Sequence, residues 1–309
     1  MGKATRESYG MALLELGKEN ENVVVLDADL SKSTKTEGFK KAFENRFFNM
    51  GIAEQNLIGT AAGFASVGLI PFASTFAVFA TGRGFEVIRN SVCYPKANVK
   101  IAATHAGITV GEDGGSHQSI EDIALMTSLP NMNVIVPADH IEAMQAVKVA
   151  SEIYGPVYLR FGRCNTPDIY DENYEFKLGK ASVLKDGKDV TVIATGMMVS
   201  KALEAAKELE KEKISVRVIN MSTIKPIDRD EIIKAAKETK GIVTAEEHSI
   251  IGGLGDTVSS VVCSFFPTRV EKVGINDTFG ESGTPEELME KYKLTSNEII
   301  NRIKNILNI

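Results

Sequence analysis

The sequence predicts an α/β protein of two domains, each a mostly parallel sheet flanked by helices. Three observations carry this. The run 22–26 (NVVVL) is continuously apolar and largely β-branched, as strands buried on both faces of a parallel sheet are. Segments of helical period alternate with such runs along the whole chain, the order that builds parallel layers. The 309 residues suggest about two domains at roughly 150 residues each. A polar stretch from Asn165 to Tyr174 interrupts the alternation, which then restarts, so the expected division is 1–167, a linker at 168–178, and 179–309.

The elements follow in order. Tyr9, Ala12, Leu13 and Leu16 share one helical face, predicting a helix over 5–18. The strand 22–26 ends in Asp27-Ala28-Asp29, and a Ser/Thr/Lys-rich loop is expected over 31–37. Ligands gather beyond the carboxyl ends of strands in open α/β sheets. A β-prone Phe47-Phe48-Asn49 breaks at Gly51 into a small-residue helix with Glu54 in its first turn. The apolar run 69–73 feeds a helix expected over 76–93, opening with Phe76 and Phe79. Strands are expected at 99–103, 133–136 and 157–159, and helices at 119–126 and 141–153. After the linker come strands near 181–184, 190–195, 215–220, 241–245 and 269–273, with helices near 200–211 and 231–239, one ending near Phe265, and a terminal helix. Gly252, Gly253 and Gly255 do not form G-x-G-x-x-G, so they read as a tight helix start rather than a dinucleotide loop.

Composition bounds the function. The chain is 43% hydrophobic and 25% charged, ordinary for a soluble globular protein. A net charge of −6 with no Lys/Arg block argues against a nucleic-acid or membrane-surface partner. Cys93, Cys164 and Cys263 are scattered and imply neither a disulfide framework nor a zinc site. With no signal-like start and no spanning run, a cytoplasmic location is expected.

Three pieces in sequence, GIAEQN (51–56), Ser74-Thr75-Phe76 and GEDGGSHQ (111–118), resemble the pyrimidine-binding region of transketolase. The resemblance runs from Arg6 to DTFGESG (277–283) and beyond. It implies two three-layer α/β domains, a pyrimidine-binding domain and a transketolase C-terminal domain, and thiamine diphosphate as cofactor. That cofactor reacts through a thiazolium carbanion, formed after a carboxyl group at N1′ of the aminopyrimidine drives a tautomerisation.

On spacing alone, Glu54 reads as a charge complementing a helix dipole. By the resemblance it is the catalytic carboxyl at the pyrimidine. Phe76 and Phe79, three apart, ordinarily mean core packing. The family stacks aromatics here against the ring, with Phe79 the first choice, and a third aromatic of full-length relatives is Gly82 in this chain. His117 and Asp113 match positions that bind hydroxyls near the donor carbonyl, His117 with a catalytic role. His105, Arg6, Ser33 and Arg163 match a clasp for the sugar's terminal phosphate, Arg163 being favoured over Arg160. Guanidinium groups suit that geometry and charge. Where the family has Pro-Thr, this chain has Gly115-Ser116. Glu246, Glu247 and His248 read as structural or as a subunit contact, and no metal-ligand set is expected.

The family's diphosphate half, with its Gly-Asp-Gly motif, has no counterpart in the sequence. The resemblance therefore implies the C-terminal subunit of a split transketolase of the pentose phosphate pathway. The partner would carry the Gly-Asp-Gly motif and the Mg2+ or Ca2+, in a heterotetramer with this chain as its central self-dimer. The implied reaction moves a two-carbon ketol unit between sugar phosphates. The alternatives are a subunit like 1-deoxyxylulose-5-phosphate synthase and a non-catalytic assembly or binding relative. A 2-oxo acid dehydrogenase β subunit fits less well around Glu54.

Overall fold

A computed structural model describes residues 2–309. The first half runs α1 (Thr5–Glu19), β1 (Val23–Asp27), α2 (Ser31–Thr34), α3 (Glu37–Ala42), β2 (Phe47–Asn49), α4 (Glu54–Ser66) and β3 (Ile70–Phe76). It continues with α5 (Ala77–Arg83), α6 (Phe85–Val87), β4 (Lys100–Thr104), α7 (Asp122–Ser128), β5 (Asn133–Ile135), α8 (His140–Glu152) and β6 (Val157–Arg160). The second half holds β7 (Ser182–Lys185), β8 (Val190–Ala194), α9 (Met198–Glu210), β9 (Val216–Asn220), β10 (Thr223–Lys225) and α10 (Arg229–Glu238). It closes with β11 (Ile242–Ser249), α11 (Leu254–Phe265), β12 (Val270–Ile275), α12 (Pro285–Lys291) and α13 (Ser296–Leu307).

Two sheets result. Seven strands lie in the order β10-β5-β6-β4-β3-β1-β2, all parallel except the edge pair β10–β5. Five lie in the order β12-β11-β8-β9-β7, parallel except β7 against β9. These are two α/β domains with mostly parallel sheets flanked by helices. Strands β1, β4, β6, β8 and β9 are buried at every position. Because side chains alternate faces along a strand, Val23 and Val25 join α1 and α8 in one core, while Val24 and Leu26 face α4 in another. This second core continues through Ile193, Ile219 and Leu254, so the two sheets share an apolar seam.

Several expectations change. Phe76 closes strand β3 instead of opening a helix, since α5 starts at Ala77. The stretch expected as an open loop over 31–37 is wound into α2 and the start of α3. Buried Asp27 draws it in, accepting from Leu30 N (2.5 Å), Thr34 Oγ1 (2.7 Å) and Thr36 Oγ1 (3.0 Å). The helix expected from Ser119 starts at Asp122, because Ser119 instead bridges Ala106 and Gly107. The terminal helix is two helices, separated by a turn with Lys293 at φ +57°. Strand β10, unforeseen, crosses from the second half to pair with β5 of the first sheet.

Candidate active site

The carboxyl ends of β1, β2, β3 and β4 point one way, and the candidate residues collect beyond them. Gly51 turns the chain out of β2 at φ +70°, with its N–H donating to Asn49 Oδ1 at 3.0 Å. This delivers Glu54 as the first residue of α4, only 4% exposed. One oxygen of its carboxylate accepts from Arg83 Nη1 at 3.1 Å. Arg83 ends α5, and its guanidinium carbon stands 4.4 Å from the centre of the Phe79 ring.

Phe79 begins an aromatic run. Its ring lies nearly parallel to Phe76, with centroids 5.8 Å apart, and Phe76 stacks in turn on His105 at 3.8 Å. His117 meets Phe79 edge-on at 5.4 Å, and its Nδ1 lies 2.9 Å from Ser116 Oγ. The run thus links the Glu54 corner to both histidines. A side chain at Gly82 would meet nothing within 4 Å, so the position of the family's third aromatic faces open space.

His105 follows β4 with φ +58°, a left-handed backbone uncommon outside glycine, though histidine is among the side chains that adopt it most often. Its Nε2 lies 3.1 Å from Arg6 Nη1, and its Nδ1 2.9 Å from Thr104 Oγ1. A guanidinium only donates, so Nε2 must accept and Nδ1 must carry the proton. The ring is neutral. Burial, followed by the charges of Arg6 and Arg163, pushes its pKa down to about 3. Arg6 also donates to the Ser33 carbonyl at 3.1 Å, while its buried Nε has no partner. Burial and then the Arg163 charge lower its pKa as well. The Arg6 guanidinium is thus a partly unsatisfied donor set among like charges.

The sequence placed Arg6, Ser33, His105 and Arg163 in one clasp. Arg6, Ser33 and His105 do meet, Ser33 through its carbonyl. Arg163 leans the other way, donating to the Val110 carbonyl and standing 3.5 Å from Asp113 and 3.7 Å from Glu112. It reaches Arg6 only through charge. Arg160 is fully engaged elsewhere, with Nε and Nη2 on the Asp122 carboxylate at 2.7 and 3.1 Å.

The loop 108–118 is pinned from the second half. Glu247 Oε1 accepts from Thr109 N at 2.7 Å, and a Cβ on Gly107 (φ +82°) would lie 2.1 Å from that carboxylate. Gln118 Nε2 donates to the carbonyls of Ile108 (3.1 Å), Gly111 (3.3 Å) and Glu281 (2.9 Å). Glu246 accepts from Leu254 N and Gly255 N at 2.7 and 2.8 Å, holding the start of α11, and a Cβ on Gly253 would lie 2.0 Å from that carboxylate. His248 Nδ1 bonds the Ser249 carbonyl at 2.7 Å. Gln118 and Arg83 escaped the sequence reading. Arg83 was findable: it lies four residues after Phe79, on the same helical face.

A cavity of about 320 Å³ between the 164–167 loop and helices α9 and α12, lined by Thr109, Cys164, Met197, Lys201 and Met289 among others, does not reach Glu54. At the Glu54 cluster the acid, Phe76 and His105 are buried, while the Arg83 side chain over Glu54 is 54% exposed.

Residues 1–168 match the family model "Transketolase, pyrimidine binding domain" and residues 179–299 the model "Transketolase, C-terminal domain". The chain belongs to the transketolase family. It is 53% identical over 304 residues to the putative transketolase C-terminal section of Methanocaldococcus jannaschii, covering 97% of this chain and 95% of that one. It is 38% identical over 308 residues to mouse transketolase, covering 98% of this chain but 49% of the mouse protein, about half its length. Among solved structures, a split gene transketolase described as an inactive beta4 tetramer superposes with a TM-score of 0.92 at 57% identity, covering 100% and 99% of the two chains. Transketolase from Campylobacter jejuni gives 0.85 at 26% identity, over 99% of this chain and 47% of that one. Among the described residues no helix is long and apolar enough to cross a membrane.

Proposed function

We propose that this chain is the C-terminal subunit of a split transketolase, moving a two-carbon ketol unit between sugar phosphates only when joined to a partner. One observation carries the reading: a buried carboxylate, Glu54, beside a stacked Phe76–Phe79 face that leads to a cation-lined anion seat at Arg6. The division at 1–167, 168–178 and 179–309 goes with this reading, as pyrimidine-binding domain, linker and C-terminal domain.

Thiamine diphosphate fits the donor set. The seat already holds a flat cationic group, the Arg83 guanidinium, hydrogen-bonded to a carboxylate and lying over an aromatic ring. An aminopyrimidine asks for the same contacts. When bound, the cofactor supplies a carbon nucleophile for cleaving and forming the ketose C–C bond. Glu54 then shares a proton with the ring nitrogen, and Phe79, with Phe76 behind it, holds the ring at no polar cost. His117 faces the donor's reacting end and exchanges protons there, with Asp113 on the sugar hydroxyls. Arg6, His105 and Arg163 receive the terminal phosphate, Arg163 turning from Asp113 to do so. Neutral His105 donates or accepts hydrogen bonds there without adding charge.

The diphosphate and its Mg2+ or Ca2+ belong to a partner chain with the Gly-Asp-Gly motif. This chain forms the central self-dimer of the resulting heterotetramer, and a Glu54 covered only by a half-exposed Arg83 fits a site completed from outside. A role in the pentose phosphate pathway follows from the substrates, and the three unpaired cysteines suit the cytoplasm. The test is reconstitution. The chain alone should not turn over ketose and aldose phosphates, and addition of the partner should restore turnover. Activity with pyruvate in place of the ketose phosphate would instead indicate a subunit like 1-deoxyxylulose-5-phosphate synthase.

A further inference from the structure

We propose that Arg83 is a built-in occupant of the pyrimidine seat, holding Glu54 in the unassembled chain and leaving when the cofactor ring arrives. This rests on the reading of Glu54 given above. Among the described residues, Arg83 is the only hydrogen-bond partner of the Glu54 carboxylate. The two ends of the pair differ sharply in burial: the Glu54 side chain is 5% exposed and that of Arg83 54%. A surface side chain has reached in to a buried acid.

Its head reproduces what the aminopyrimidine presents. The guanidinium is a planar N–C–N unit that donates N–H to the carboxylate and lies over the Phe79 face. Both groups would engage the Glu54 carboxylate beside the Phe79 ring, so they compete for one seat. The way out is open. Arg83 is the last residue of α5, and Gly82 beside it borders empty space. The physical need is clear as well, because a buried carboxylate without a counter-charge destabilises the fold until something neutralises it. Arg83 meets that need before assembly. It can yield because its own head is half-exposed and regains water on leaving, while the incoming ring takes over the carboxylate.

The experiment is calorimetric titration of the full chain, without partner, with 4-amino-5-hydroxymethyl-2-methylpyrimidine, the ring portion alone. Arg83→Met keeps the apolar stem and removes the head. It should bind the ring about 10-fold more tightly than the parent, the effect expected from deleting one competing ion pair and one exposed cation–π contact. Arg83→Lys, which keeps charge but loses the flat fork, should fall between them, and serves if Arg83→Met does not fold. Equal or weaker ring binding by these variants, including no measurable heat from any chain, overturns the proposal. Adding Glu54→Gln to Arg83→Met separates the two claims. Loss of the ring in the double variant supports both, whereas tight binding that survives Glu54→Gln removes Glu54 from the pyrimidine and leaves Arg83 as a plug of an unrelated seat. If Glu54→Gln weakens the parent while Arg83→Met changes nothing, the Glu54 reading stands and the plug fails.

Discussion

His105 should stay uncharged through the whole range in which histidines ordinarily titrate. Its proton is fixed on Nδ1 by a donor that cannot become an acceptor, the Arg6 guanidinium. Protonating Nε2 would place a third charge beside Arg6 and Arg163 in a site 3% exposed. Lowering the pKa from 6.5 to about 3 corresponds to about 5 kcal/mol against the imidazolium. At pH 5 only ~1% of His105 would then be charged, against ~97% of an unperturbed histidine. Folding linkage has a definite sign. The unfolded chain takes up this proton below pH 6.5 and the folded chain does not, so the stability contribution is complete above 6.5 and is lost as pH falls toward 3. By pH 5 the loss is about 2 kcal/mol. NMR titration of the four histidine rings reads this directly, with His105→Gln identifying the resonance by its disappearance. The expected result is a signal that does not move between pH 8 and about pH 5. A resonance assigned to His105 with a midpoint near 6.5 would refute the tautomer, the Arg6 contact and the charge argument together.

Further tests address other parts of the site. Glu54→Gln should reduce turnover of the reconstituted enzyme by about 10²–10⁴-fold with little effect on folding, read in a coupled sugar-phosphate assay. Full activity would remove Glu54 from the chemistry. Asp122→Ala leaves Arg160 buried without its counter-charge and should destabilise the chain by about 3–5 kcal/mol, visible as a lower Tm. Gly107→Ala puts a methyl group onto the Glu247 carboxylate at a left-handed φ. It should cost about 1–3 kcal/mol and raise hydrogen exchange at Thr109, whose N–H that carboxylate holds.

Much of the fold was legible because short-range patterns reflect local geometry. The unbroken run at 22–26 became β1, buried at each position, and Gly51 became the left-handed turn that starts the Glu54 helix. Phe76 was misplaced because a strand end and a helix start look alike in a single apolar residue. Strand β10 was missed for a different reason. Three residues, Thr223–Lys225, carry too little periodicity, and their partner β5 lies far away in sequence.

The sequence alone determined the alternation of strands and helices, the family, and the chemical kinds present at the site: two carboxyls, two aromatics, two histidines, a serine and the arginines around them. Tertiary structure alone decided which of these face each other. Arg6 meets His105 across 99 residues, and Gln118 ties the glycine loop to Glu281 across 163. Arg83 covers Glu54 and Arg163 turns toward Asp113. Periodicity is set within a few residues by backbone geometry, but such pairings depend on how the sheets and helices pack, and they in turn fix protonation and access.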